Sequence, residues 1–144
     1  ERVLHHDPPT AEELQQAREW MTRETKAAVA GMADYRQATF VGTAGTITSL
    51  AAMAQKLPTY EPARIHNYRL NLEAIRELEQ TLLSRTKAKR VGLPGLEKNR
   101  EEVIAAGAII IRTIMETLER EECLVSDLGL REGMLIDLGR ADQK

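Results

Sequence analysis

Val41-Gly42-Thr43-Ala44-Gly45-Thr46-Ile47-Thr48-Ser49-Leu50 is the stretch that decides the fold class. Ala38-Thr39-Phe40-Val41 is short, apolar and partly β-branched, which suits a buried strand interrupted by Gly42. Residues 46–57 are apolar enough for a packed helix, and Pro58 ends it. A strand that enters a helix through a glycine turn is a unit of parallel α/β architecture. The turn is also a candidate anion site. Gly42 and Gly45 let the backbone approach a ligand, Thr43 and Thr46 carry hydroxyls, and a helix start offers free amides and positive potential. No Lys-Ser/Thr pair follows, so this is not a Walker A loop, and the spacing is not the dinucleotide fingerprint. A plain glycine turn with Thr46 capping its helix is the competing reading.

Outward from this turn, the chain alternates helices with one more strand. Pro8-Pro9-Thr10-Ala11-Glu12-Glu13 reads as a capping box opening a helix over residues 11–30, with Gly31 as the stop. Asn71 caps a helix over 72–84 whose buried stripe is Leu72, Ile75, Leu78 and Leu82. Gly92-Leu93-Pro94-Gly95 punctuates the chain. The longest helix is expected over 98–120, with Val103, Gly107, Ile110, Ile111, Ile114 and Leu118 on one face and Gly107 admitting a neighbouring backbone. Residues 123–126 form a second strand and 130–138 a last helix; residues 58–67 read as loop. The fold class is therefore α/β, helix-rich, with at least two parallel strands. Two strands make a poor sheet, so further strands are expected outside the chain. The start at Glu1, without initiator methionine or helix cap, likewise reads as an element cut in its middle.

Composition excludes several function classes. The 144 residues fit one domain, 42% of them hydrophobic and 29% charged. A net charge of −2 builds no field for DNA or an anionic membrane surface, and no run approaches the ~20 apolar residues of a span. Aromatics at 3% give no platform for stacked bases. The single cysteine, Cys123, cannot form an internal disulfide, which suits a reducing cytoplasm.

In an open α/β sheet, ligands bind beyond the carboxyl ends of the strands. The turn after Val41 and the loop Ser126-Asp127-Leu128-Gly129 both follow strands and share that edge. The helix feeding the second strand begins there as well, which brings Lys98 and Arg100 to the edge; pairing of Arg100 with Glu101 or Glu102 is the alternative. Gly42, Thr43, Gly45, Thr46, Arg100 and Ser126 are thus the candidate phosphate- or nucleotide-binding residues. No catalytic base is identified: Asp127 and Glu132 are near the edge, but Glu132 reads as a helix surface charge. No metal ligands are identified either, since His5, His6 and His66 show no convergence. Lys87, Lys89, Arg90 and Lys98 form a cationic cluster bordering the edge. Cys123 reads as a small core residue and Trp20 as cover for the packing face of its helix.

Three segments also carry a family resemblance. Val41 to Leu50 as quoted, then Leu93-Pro94-Gly95-Leu96 with Arg100-Glu101-Glu102-Val103-Ile104-Ala105-Ala106-Gly107, then Val125-Ser126-Asp127-Leu128-Gly129-Leu130-Arg131-Glu132-Gly133 resemble, in order and spacing, the exopolyphosphatase/guanosine pentaphosphate phosphohydrolase (Ppx/GppA phosphatase) family. The Asp7-Pro8-Pro9-Thr10 entry matches too. The resemblance implies a ribonuclease-H-like fold of the actin/Hsp70/sugar kinase superfamily, with residues 1–144 as most of the second of two domains. It implies release of terminal phosphate from inorganic polyphosphate or guanosine pentaphosphate with Mg2+, and a water-activating glutamate and first phosphate loop in a missing N-terminal domain. By itself this half is then expected to be inactive. A non-catalytic polyphosphate or nucleotide sensor on the same scaffold is the alternative function. An open strand edge and uncovered apolar surface predict a homodimer.

Overall fold

In a computed structural model, residues 3–32 and 35–141 are described. Helices α2 (Gly45–Ala54) and α4 (Leu72–Leu83) pack on a small sheet, α6 (Ile104–Thr117) packs on both of them and α1 (Ala11–Val29) packs on α6, with one-turn helices α3 (Pro62–Ile65) and α5 (Lys87–Arg90) in the connections and α7 (Leu130–Ala141) at the end. The sheet has strands β1 (Val41–Thr43), β2 (Arg69–Asn71) and β3 (Glu122–Ser126) in the order β1-β3-β2. β1 runs parallel to β3, as expected, while β2 is antiparallel to it and was not legible as a strand. The core is built from Ile47, Leu50, Ile75, Leu82, Ile104 and Val125, all buried.

Sequence logic explains the helix starts. Thr10 accepts from the Glu13 amide while the Glu13 carboxylate accepts from the Thr10 amide, so the capping box forms; Asn71 caps α4 by accepting from the Ala74 amide at 2.8 Å. Glu13 also accepts from the His5 amide and pairs with His6. The Thr10 amide first, and then these partners, hold the Glu13 pKa down to about 2, against an ordinary value of 4.5. A depressed carboxylate pKa contributes stability that is present above about 4.5 and lost as pH falls through about 2. Glu13→Gln is therefore expected to melt below the native protein at pH 6 and to converge with it near pH 2, as thermal unfolding followed by circular dichroism will read.

The helix ends depart from expectation, for one shared reason. α2 stops at Ala54, not at residue 57: Lys56 adopts φ +51° and the Leu57 amide donates to the Ala52 carbonyl, a Schellman close with lysine in the usual glycine position. α6 repeats this with Glu119 at φ +55° and the Arg120 amide on the Met115 carbonyl. At its other end, residues 98–103 make turns around Asn99 at φ +69°, so α6 has 14 residues and α1, with 19, is the longest helix. The single expected face of α6 is also corrected. Val103 and Ile110 are exposed, whereas Ile104, Ala105, Ala108, Ile109 and Met115 are buried, because α1 packs on one side of α6 and α2 and α4 on another. Gly107 is needed for close approach, but by a side chain: a Cβ there would lie 2.4 Å from the Thr46 methyl.

β1 likewise begins three residues later than expected. The Ala38 amide closes a 3-10 turn on the Tyr35 carbonyl, which commits residues 35–38 to that turn. Gly42 lies inside the strand instead of breaking it, since a Cβ there would fall 2.7 Å from Cys123 Sγ and 2.8 Å from Ile47 Cγ1. The expected loop over 58–67 contains α3, with Pro62 at its first turn.

Candidate functional site

The parallel register pairs Val41 with Leu124, Gly42 with Val125 and Thr43 with Ser126, so the carboxyl ends of β1 and β3 lie side by side. Their loops are sewn together through one carbonyl. Thr43 Oγ1 donates to the Leu128 oxygen at 3.0 Å and Ser126 Oγ donates to the same oxygen at 2.8 Å. Ser126 Oγ accepts in turn from the Leu128 amide, and the Gly129 amide donates to Glu132 at 2.7 Å. The hydroxyls of Thr43 and Ser126 thus shape the edge, and Glu132 caps the start of α7. The Gly129 amide is the foremost cause that lowers the Glu132 pKa.

The turn into α2 is backbone-lined. Ala44, at its N-cap position, holds φ 74° and ψ 173°, a region nearly reserved for glycine that costs about 1–3 kcal/mol. Strain of that kind concentrates where a site requires it. No side chain caps α2, so the amides of its first turn have no intrahelical acceptor. Thr46 does not cap the helix; its methyl is packed on Gly107, and Thr48 Oγ1 donates back to the Gly45 carbonyl at 3.2 Å.

Arg100 completes the arrangement. A Cβ on Gly45 would lie 2.2 Å and 2.3 Å from the two terminal guanidinium nitrogens, so the guanidinium occupies the space that a side chain at 45 would fill. Its Nε donates to Glu97 at 3.2 Å, the neighbour three residues back, not to Glu101 or Glu102. The terminal nitrogens make no hydrogen bond to the described residues. A half-buried cation, free helix amides and a glycine turn therefore share one edge, which is chemistry for a phosphate-type anion.

Other expected residues are placed elsewhere. Lys87 pairs with Glu102, and Arg90 is buried, donating to the Leu82 and Glu101 carbonyls and to Asp7 at 2.6 Å. The Arg90 guanidinium and the Lys87 backbone amide thus hold Asp7 of the amino-terminal segment. His66 Nδ1 accepts from the Asp127 amide at 3.3 Å and His6 pairs with Glu13. Among the described residues, no three His, Cys, Asp or Glu side chains converge on a metal position. Trp20 covers a shallow apolar hollow with Ala17, Met21 and Ile109. Cys123 is buried and its thiol is pushed up to about 11 by burial. It is expected to resist alkylation by iodoacetamide at pH 8 in the folded protein and to react fully in guanidinium chloride, which mass spectrometry reads directly.

Tyr60 is the residue that sequence reasoning missed. Its phenol donates to the Asp127 carboxylate in the loop after β3. Neither Thr59-Tyr60-Glu61 nor its proline-flanked setting carries a periodic signal, and the contact spans 67 positions.

Comparison with known proteins supplies the rest. The model of the Ppx/GppA phosphatase family matches residues 1–141. Exopolyphosphatase 2 of Mycobacterium tuberculosis is 34% identical over 137 residues, which cover 95% of this chain and 43% of that protein. Exopolyphosphatase 1 of Mycobacterium leprae is 27% identical over 134 residues, 92% of this chain and 39% of that one. The crystal structure of the Aquifex aeolicus Ppx/GppA family member superposes with a TM-score of 0.88 at 30% identity, covering 99% of this chain and 45% of that one. The chain spans less than half the length of each of these proteins. Among the described residues, no helix is long and apolar enough to cross a membrane.

Proposed function

Because the chain belongs to the Ppx/GppA phosphatase family, we propose that it is the second half of a two-domain phosphoanhydride hydrolase that removes terminal phosphate from inorganic polyphosphate or guanosine pentaphosphate in the cytoplasm. The observation that carries this reading is the guanidinium of Arg100 seated on Gly45 at the uncapped start of α2. Phosphoryl transfer is dominated by positioning and by neutralising charge on the transferred group. On this reading the α2 amides, which no side chain caps, and Arg100 perform that neutralisation.

Two observations support a reading in which the other half supplies the proton chemistry. Asp127 accepts from Tyr60 and Glu132 from the Gly129 amide, so neither carboxylate is poised as a general base. The carboxylates of this edge do not fit a magnesium shell, Glu97 being paired with Arg100. α7 provides the docking surface for the other half: Leu130 is 81% exposed, and Met134, Leu135, Ile136 and Leu138 are exposed with it. In its absence the same surface and the open edge of β1 support pairing of two copies of this chain, which sedimentation will report.

The test is release of orthophosphate by the full-length protein from long-chain polyphosphate, with guanosine pentaphosphate in a parallel arm. Steady release by the full-length protein and none by the 144-residue chain is expected. Saturable binding without release overturns hydrolysis in favour of a sensor, and turnover by the chain alone overturns the division of labour.

A further inference from the structure

The connection between α2 and β2 holds the segment between β3 and α7 at two points. Tyr60, before α3, donates from its phenol to the Asp127 carboxylate, and His66, at the end of α3, accepts on Nδ1 from the Asp127 amide. The connection is itself anchored. Ile65 between the two contacts is fully buried, and Gln55 at the end of α2 donates to the Arg64 carbonyl at 3.1 Å. Asp127 in turn stands beside Leu128, whose carbonyl gathers Thr43 and Ser126. Hydrogen bonds, joined through the backbone of residues 126–129, thus link α3 to Thr43 at the end of β1, just before the turn into α2.

We infer that Tyr60 is a positioning residue, acting through Asp127 to fix the 126–129 segment and with it the direction in which α7 leaves the sheet. The phenol suits this duty. Burial first, and the Asp127 carboxylate second, raise its pKa above the ordinary value of 10, so it remains a donor throughout the neutral range. His66 Nδ1, accepting from the Asp127 amide at 3.3 Å, makes the second contact. The consequence for catalysis rests on the proposed function, in which α7 carries the other half of the enzyme. The clamp makes no hydrogen bond to Gly45 or Arg100, although the phenol lies beside Thr48 in the first turn of α2, so its main effect is on how the halves meet.

Hydrogen-deuterium exchange and kinetics on the full-length protein test this with Tyr60→Phe, Asp127→Ala, Asp127→Asn and the Tyr60→Phe/Asp127→Ala double variant. Tyr60→Phe should speed exchange of the amides of residues 127–133 about tenfold, with the amides of α4 and α6 unchanged. Asp127→Asn, which keeps an acceptor, should remain near the native rate, and the double variant should be no faster than Asp127→Ala alone. The kcat for polyphosphate should fall about tenfold in Tyr60→Phe with KM within twofold. Unchanged exchange at 127–133, or effects of the two single variants that add, would overturn the clamp. Faster exchange with native kcat and KM would confine it to a structural role and overturn its part in catalysis. If the protein hydrolyses no phosphoanhydride, the exchange measurement still decides the clamp, and only the preceding proposal has failed.

Discussion

Replacing Gly45 by valine in the full-length protein is expected to lower kcat/KM for polyphosphate about a hundredfold, with thermal stability close to native. The two effects separate because of what a side chain at 45 would meet. Its Cβ falls 2.2–2.5 Å from the Arg100 guanidinium atoms, the far end of a flexible side chain, which can swing away into solvent. The fold survives that movement, but the cation leaves the α2 amides and the valine methyls cover them. Arg100→Ala should lose a similar factor, and the two changes together little more than either alone, since both remove one arrangement. Native kcat/KM in both variants would mean that the anion is bound elsewhere.

A second large effect is expected at Gly95, and it concerns stability alone. Leu93-Pro94-Gly95-Leu96 closes with the Leu96 amide on the Leu93 carbonyl at 3.0 Å and Gly95 at φ +80°, the third residue of a type II turn. An L-residue there costs about 1–2 kcal/mol in backbone conformation. In addition, a Cβ would sit 2.4 Å from the Ala52 carbonyl and the Met53 nitrogen, in the backbone of α2. Helix backbone cannot swing aside, so overpacking adds about 1–3 kcal/mol. Gly95→Ala should therefore lower the stability by about 2–5 kcal/mol and Tm by roughly 10 °C. A variant with native Tm would show that the turn does not lean on α2. The contrast between the two glycines is physical: Gly45 makes room for a mobile guanidinium, Gly95 for a fixed helix.

Much of this arrangement was legible because it is local. The capping box at Thr10 and the Asn71 cap follow from side chains three residues from their targets, and the parallel pairing follows from a strand, a glycine turn and a helix in succession. What escaped depends on residues distant in sequence or on backbone states that composition conceals. Lys56 and Glu119 close helices in a conformation usually marked by glycine, so both ends were placed too late. β2 is three residues long with alternating burial, and only pairing with β3 distinguishes Arg69-Leu70-Asn71 from loop. The stripe on α6 misread a helix that is covered from several sides, where no single face exists to be found.

The candidate site divides in the same way. Glycine spacing and the strand-end rule brought Gly42, Gly45, Arg100 and Ser126 to one edge; Gly45 does lie on the Arg100 guanidinium and Thr43 pairs with Ser126, whereas Gly42 sits inside β1 against Cys123 and Ile47. The hydrogen bonds of Thr43 and Ser126 to a common carbonyl, and the placement of Tyr60 against Asp127, required coordinates. Lys87 and Arg90 looked like part of a cationic surface, yet each is engaged with a carboxylate that its own neighbourhood in sequence did not suggest.

Whether the α2 turn receives a phosphate chain is most directly read from the backbone amides themselves. Titrating 15N-labelled protein with tripolyphosphate should move the amide resonances of Gly45 and Thr46 and the side-chain Nε of Arg100 together, along one saturable curve that Arg100→Ala weakens. Shifts confined to Lys89, Lys98 and other exposed cations, with Gly45 and Thr46 unmoved at saturation, would contradict the account.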